Sequence, residues 1–258
     1  MTPDPAAARE PVTADEILRA FAAAADAARR AVVAIPTAAR RQRTDRPGQY
    51  ALDLAADAAV LDVLRPLGVG FVSEESGRSG PPDSPVTIVI DPVDGSTNCS
   101  RGIPYWAISL CAVDEVGPWC ALVRNQATGE TTVAVRGMGA TRDGVGCVPS
   151  PVEDLVDAVV ALTGWPRRYG GWAQSRALGS AALALCDVAA GGLDGYLDSA
   201  RSHAPWDYLG GLLACTEAGA PARDVAGEPL VVTDPAARRQ LVAGGTRQLV
   251  DALARAVT

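Results

Sequence analysis

The feature that most constrains this chain is a run of β-branched residues, Val86-Thr87-Ile88-Val89-Ile90, that passes directly into Asp91-Pro92-Val93-Asp94-Gly95-Ser96-Thr97-Asn98. Such a run reads as a buried strand, which puts Asp91 at its C-terminal end, where a carboxylate can leave the core. Pro92 fixes its own φ and the residues after Asp94 are turn chemistry, so the pattern predicts a tight loop that holds Asp91 and Asp94 close together. Two close carboxylates repel. They are stable together mainly when a cation lies between them, and all-oxygen ligation suits a hard ion such as Mg²⁺ rather than zinc. Taken alone, the motif is better read as a capped turn with two solvated acids, and its surroundings decide the matter.

Composition narrows the chemistry. The chain has 258 residues, enough for one large domain or two small ones, and a formal net charge of −7. All 23 basic residues are arginine. Acidity argues against nucleic acid as a partner, and the absence of lysine removes P-loop and Schiff-base chemistry. A single histidine, His203, excludes any site that needs two. The cysteines at 99, 111, 120, 147, 186 and 215 contain no CxxC pair and read as reduced, mostly buried thiols. Met-Thr-Pro-Asp-Pro at the start has neither part of a secretory leader, and no apolar stretch approaches the roughly 18 residues of a membrane span. A cytoplasmic protein with no membrane partner is expected.

Along the chain, residues 1–12 read as a loose tail. Thr13 and Glu16 have capping-box spacing and open a helix to about Ile35 with Ile17, Leu18, Phe21, Ala24, Ala25 and Ala28 inward. Residues 40–48, with arginines at 40, 41, 43 and 46, read as a solvated loop that could also border an anionic site. A second helix is predicted over Tyr50 to Leu64, with Leu52, Ala55, Ala59, Val60 and Val63 inward and Asp53 and Asp57 sharing a face. Gly70 to Ser73 reads as a strand ending at Glu74-Glu75-Ser76, and 78–85 as a loop. Tyr105 to Val113, Pro118 to Val123 and Thr131 to Val135 read as an antiparallel meander, and Gly137-Met138-Gly139 as a hairpin end rather than a dinucleotide loop. Near Cys147 the pattern changes to strands alternating with helices, which predicts two units, 1–146 and 147–258. The second holds strands at Val156 to Leu162 and Leu193 to Leu197, a helix over Ser180 to Ala190, and a helix from Trp206 to Ala218 with Asp207 in its first turn. Short strands at Val231 and Leu241 and a last helix over Thr246 to Val257 complete it.

Three motifs now stand in order: Glu74-Glu75-Ser76, Asp91-Pro92-Val93-Asp94-Gly95-Ser96, and Trp206-Asp207 with Glu217-Ala218-Gly219 at the end of its helix. From about residue 15 to the end the chain resembles the inositol monophosphatase family of Mg²⁺-dependent, lithium-sensitive phosphatases. Arg176 to Ala182 and Asp194-Gly195-Tyr196 resemble that family's substrate-side segments. The resemblance implies a layered αβαβα sandwich, a homodimer, and hydrolysis of small phosphate monoesters with two or three Mg²⁺ ions per subunit. It implies that Glu74, Asp91 and the Val93 carbonyl hold one metal, that Asp91, Asp94 and Asp207 hold a second, and that Glu74 binds a weaker third. Ser96 with Asp53 or Glu74 would orient the attacking water, the Gly95 and Ser96 amides would cradle the phosphate, and Asp94, Ser180, Ala182 and Asp198 would face the substrate. On this reading the unit 1–146 carries the main metal-binding loops, and 147–258 carries Asp207 and the substrate side.

Some positions depart from the family pattern. Ser96 stands where threonine is common, Asp198 where the inositol-specific members often have glutamate, and Cys99 where an aromatic is common. An extra residue lies between His203 and Trp206. The phosphate chemistry is therefore expected to be intact, with inositol monophosphate as the leading substrate. Histidinol phosphate, a 3′-phosphonucleotide and a sugar bisphosphate are the alternatives within the enzyme class. A binding or regulatory protein is the alternative from another class.

Overall fold

The computed structural model describes residues 12–257. Apart from residue 12, the expected tail lies outside the described residues. Five layers follow one another. Helices α1 (Ala14–Ala34) and α2 (Ala51–Leu64) pack on one face of a mixed sheet containing β1 (Gly70–Ser73), β2 (Gly77–Ser79), β3 (Thr87–Asp94), β4 (Ala107–Val113), β5 (Pro118–Asn125), β6 (Thr131–Val135), β7 (Gly139–Arg142) and β8 (Val145–Gly146). A short helix, α3 (Ser96–Arg101), follows β3. The middle layer is α4 (Ala181–Ala189) and α5 (Pro205–Ala218). Beyond it lies a second sheet of β9 (Val159–Thr163), β10 (Gln174–Arg176), β11 (Gly195–Asp198), β12 (Ala222–Asp224) and β13 (Leu241–Gly244), covered on its outer face by α6 (Arg247–Val257). This is the expected αβαβα sandwich.

The strand pattern explains the layering. On β3, Ile88 and Ile90 face the α1–α2 layer, while Val89 between them faces the middle layer. A strand apolar on both faces needs cover on both. The middle layer takes Val89, Cys111, Ala121 and Val123 of the first sheet, and it meets the second sheet through Ala161, Tyr196 and Ala243. Close approach requires small residues here. A Cβ on Gly210 of α5 would lie 2.8 Å from Ser109 Oγ, and one on Gly211 would lie 2.5 Å from Leu185 Cβ.

The capping box at Thr13 and Glu16 forms as expected, and Gly137, between β6 and β7, and Gly139, the first residue of β7, are both at positive φ. All six cysteines are free and only Cys147 is not fully buried. Other expectations shift. The inward face of α2 is Leu52, Asp53, Ala56, Asp57, Val60, Leu61 and Leu64, so both acids are buried and Ala55, Ala59 and Val63 lie on its flank. β3 does not stop at Asp91 but continues to Asp94. The expected strand from Val156 begins only at Val159, because Leu155–Asp157 is a turn of 3₁₀ helix. No strand forms at Val231, which is 45% exposed. The three-residue strands β2, β10 and β12 carry no pattern long enough to predict.

Candidate active site

β1 and β3 run parallel, with Ser73 beside Ile90. The next residues, Glu74 and Asp91, therefore leave the sheet side by side, and the Glu74 N–H donates to Ile90 O at 3.1 Å. Past Asp91 the strand keeps its place through an irregularity, since the register against β4 shifts between Asp91 and Asp94. A bulge tolerates Pro92, which has no N–H for the ladder. What the sequence reads as a tight loop is thus a bulged strand. Asp91 is 1% exposed and accepts the Val93 N–H at 3.0 Å. Asp94 Oδ2 accepts the Ser180 hydroxyl at 2.6 Å and the Ala182 N–H at 2.7 Å, which ties the N-terminus of α4 to the end of β3.

Two helix starts supply the other acids. Asp53 accepts the Tyr50 N–H at 2.8 Å in the first turn of α2, and its Oδ1 is buried with no hydrogen-bond partner. Asp207 accepts the Ala204 N–H at 2.7 Å in the first turn of α5, opposite the positive end of the helix. Asp57, one turn beyond Asp53, accepts the Ser73 hydroxyl at 2.5 Å and so fixes the residue just before Glu74. Sequence spacing paired Asp57 only with Asp53; the contact with Ser73 comes from tertiary packing.

Burial and mutual repulsion raise the pKa values of Asp53, Glu74, Asp91 and Asp94. Asp53 is pushed up to about 7, first by burial and further by Glu75, against the pull of the Tyr50 N–H. Glu74 is raised by burial and by the charges of Asp207, Glu75 and Asp53, against a hydrogen bond with Asp91. Asp91 is raised by burial and by Glu74, Asp94 and Asp207, and Asp94 by burial and Asp207 against its bond to Ser180.

Glu74, Asp53 and Ser96 line a cavity of about 130 Å³ whose rim is Arg46, Pro47, Gly48, Gln49 and Glu75. The arginine-bearing segment therefore borders the acidic site. Arg46 donates to the Glu74 carbonyl at 3.1 Å and lies 3.5 Å from the Glu75 carboxylate, and Gln49 also hydrogen-bonds Glu75. Gly95 precedes α3 at φ +89°, and a Cβ there would lie 2.9 Å from Gly179 O. Asn98 closes this contact by donating to Tyr105 O and Leu178 O, each at 2.7 Å. Sequence reasoning took Asn98 only as a turn former.

Asp198 is fully buried at the end of β11. Its Oδ1 accepts the Ala200 N–H at 2.8 Å and its Oδ2 the Ser202 N–H at 2.9 Å, so the carboxylate is closed on its own loop. His203, 6% exposed, sits between Tyr196 and Asp207, with Nδ1 3.5 Å from Asp207 Oδ2. Its pKa is raised: burial disfavours the charged ring, but the charges of Asp207, Asp198 and Asp94 outweigh it.

Among the described residues the side chains as placed form no group of three or more His, Cys, Asp or Glu that could hold a metal ion. The chemistry of the candidate acids suits a hard cation. Glu74, Asp91, Asp94 and Asp207 offer oxygen alone, burial raises the pKa of the first three, a cost that a cation would offset, and Asp53, which lines a cavity with Glu74, has an orphaned buried oxygen.

A five-layer α/β sandwich with an all-oxygen carboxylate centre where its first sheet meets α2 and α5 is the class this fold and site define. The chain belongs to the inositol monophosphatase family, whose sequence model matches residues 13–258. It is 31% identical over 229 residues to Nus factor SuhB of Escherichia coli K12, covering 79% of this chain and 84% of that protein. It is 35% identical over 185 residues to the fructose-1,6-bisphosphatase/inositol-1-monophosphatase of Archaeoglobus fulgidus, covering 70% and 71%. A Pyrococcus horikoshii protein with similarities to inositol-1 monophosphatase superposes with TM-score 0.86 over 95% of this chain and 100% of that one, and at 22% identity it supports the fold alone. The family is generally metal-dependent and includes phosphatases.

Proposed function

We propose that the protein is a Mg²⁺-dependent phosphatase that hydrolyses small-molecule phosphate monoesters, with inositol monophosphate or a similar polyol phosphate as substrate. One observation carries this reading: Glu74, Asp91, Asp94 and Asp207, from both sheet strands and a helix start, interact electrostatically, with pKa values raised in the first three. Buried acids in such a group are stabilised by a cation between them. Glu74, Asp91 and the Val93 carbonyl would hold one Mg²⁺, Asp91, Asp94 and Asp207 a second, and Glu74 a weaker third. When bound, the ions supply charge neutralisation at the phosphoryl group and acidify water.

The chain's own groups do the positioning. The Ser96 hydroxyl orients the attacking water, and Asp53 or Glu74 accepts its proton. The amides of Gly95, which precedes α3, and of Ser96, its first residue, would donate to phosphate oxygens. Asp94, Ser180 and Ala182 set the start of α4 against the same place. Asp198 is buried and already accepts the Ala200 and Ser202 amides, so it acts on the alcohol moiety mainly through the shape of loop 199–203.

The test is phosphate release by purified protein, with Mg²⁺ and with chelator, from inositol 1-phosphate, histidinol phosphate, a 3′-phosphonucleotide and fructose 1,6-bisphosphate. Mg²⁺-dependent turnover highest on the inositol ester is expected. Preference for another member of the panel would reassign the substrate within the enzyme class. The likeness to Nus factor SuhB favours a second reading, as a binding or regulatory protein, and absence of turnover on every ester would select it. A cytoplasmic homodimer, with metal loops in 1–146 and the substrate side in 147–258, belongs to the same proposal. Among the described residues no helix is long and apolar enough to cross a membrane.

A further inference from the structure

The chain's one histidine has no place in the reaction described above, yet it is buried against one of its acids. On one side the His203 ring meets the Tyr196 hydroxyl through Nε2. That hydroxyl also hydrogen-bonds Thr163 Oγ1 at 2.8 Å. On the other side Nδ1 lies 3.5 Å from Asp207 Oδ2, the oxygen that also accepts the Ala204 N–H at 2.7 Å. The backbone of His203 is fixed as well, paired with Arg239 in both directions at 3.3 and 2.8 Å. Thr163 ends β9, and Tyr196 lies in β11, two residues before its end. The ring is therefore held from two strands of the second sheet while it touches an acid of the first-turn segment of α5.

We infer that His203 is a positioning residue for Asp207, set by the path Thr163–Tyr196–His203. The Ala204 amide donates to Oδ2 and the His203 ring lies 3.5 Å from the same oxygen, so both restrict the orientation of the carboxylate. A carboxylate held in this way loses less freedom when it takes a cation. Outer groups that orient a ligand typically change metal affinity by about 10- to 100-fold. The inference rests on the reading of Asp207 as a metal-binding acid, and the test below separates the two.

The experiment is calorimetric titration of metal-free full-length protein with Mg²⁺, for the parent, His203→Ala, Tyr196→Phe, Asp207→Asn and the double variant His203→Ala/Asp207→Asn. His203→Ala should weaken the Asp207-dependent binding event by about 10-fold or more, and Tyr196→Phe should weaken it in the same sense by less. Because His203 acts through Asp207, the double variant should bind like Asp207→Asn alone, a non-additivity that a general loss of packing would not produce. Should His203→Ala fail to fold, Tyr196→Phe, which removes one hydroxyl, carries the test. Mg²⁺ affinity equal to the parent in the folded variants, or fully additive losses in the double variant, would overturn the inference. No binding event that depends on Asp207 in the parent would instead overturn the metal assignment on which it rests.

Discussion

At the scale of single residues, the acids divide by what surrounds them. Asp91 is 1% exposed and feels Glu74, Asp94 and Asp207 at once, which suits a residue proposed to be shared by two cations. Asp91→Asn should reduce kcat by roughly a thousandfold or more, about 4 kcal/mol of transition-state stabilisation, and near-parental kcat in folded protein would remove Asp91 from the site. Ser96 lines the cavity with Glu74 and Asp53, and only its hydroxyl is asked to orient water. Ser96→Ala should cost about 10²-fold in kcat while Ser96→Thr is tolerated, and equal rates for alanine and serine would leave the acids to position the water alone. The candidate acids were legible because Asp91, Asp94, Glu74 and Asp207 each stand in a short motif at the end of a strand or the start of a helix. Their partners were not. Asp57 on Ser73 and Asn98 on Leu178 arise where distant elements cross, and no local spacing encodes those crossings.

At the scale of elements, long patterned segments were readable and short ones were not. The buried run before Asp91 gave β3 its place, but not its length, because pairing with β4 resumes at Asp94 beyond a bulge that proline chemistry disguises as a turn. β11 ends with the same kind of surprise. Sequence reading put the Asp198 carboxylate on the substrate, whereas it closes the loop after β11, where Arg201 takes φ +49°. A non-glycine residue at positive φ is held there by its neighbours. Asp198→Ala strips a charged acceptor from two backbone amides and should lower unfolding stability by about 2 to 4 kcal/mol, read from urea denaturation. If the loop shapes the alcohol side, KM for the preferred polyol phosphate should rise by about tenfold while an aryl phosphate changes little. An unchanged denaturation midpoint would show that the loop does not depend on this carboxylate.

At the scale of the whole molecule, the sandwich stores electrostatic cost in one place. Glu74, Asp91, Asp94 and Asp53 all have carboxyl groups raised by burial, so the folded protein binds protons more tightly than the unfolded chain does. For such groups stability falls as pH rises from the unfolded carboxylate range to the folded pKa, which for Asp53 is about 7. Asp114 has the opposite sign: its hydrogen bond with Arg136 lowers its pKa, and its contribution is lost as pH falls. The informative quantity is therefore the difference between Mg²⁺-loaded and metal-free protein, in which Asp114 cancels. A cation that competes with protons at the centre has less to offer at pH 5, below the raised pKa of Asp53, than at pH 8, above it. Binding at about a hundred times Kd stabilises by about 2.7 kcal/mol, which for a chain of this size is a rise of roughly 5 to 10 °C in Tm. Thermal melts at pH 5, 6.5 and 8, with Mg²⁺ and with chelator, should show the gap opening as pH rises, and Asp91→Asn should shrink it at pH 8. A gap of equal size at every pH would mean that the cation binds away from these acids and that the protons, not a metal, are what the buried centre is built to hold.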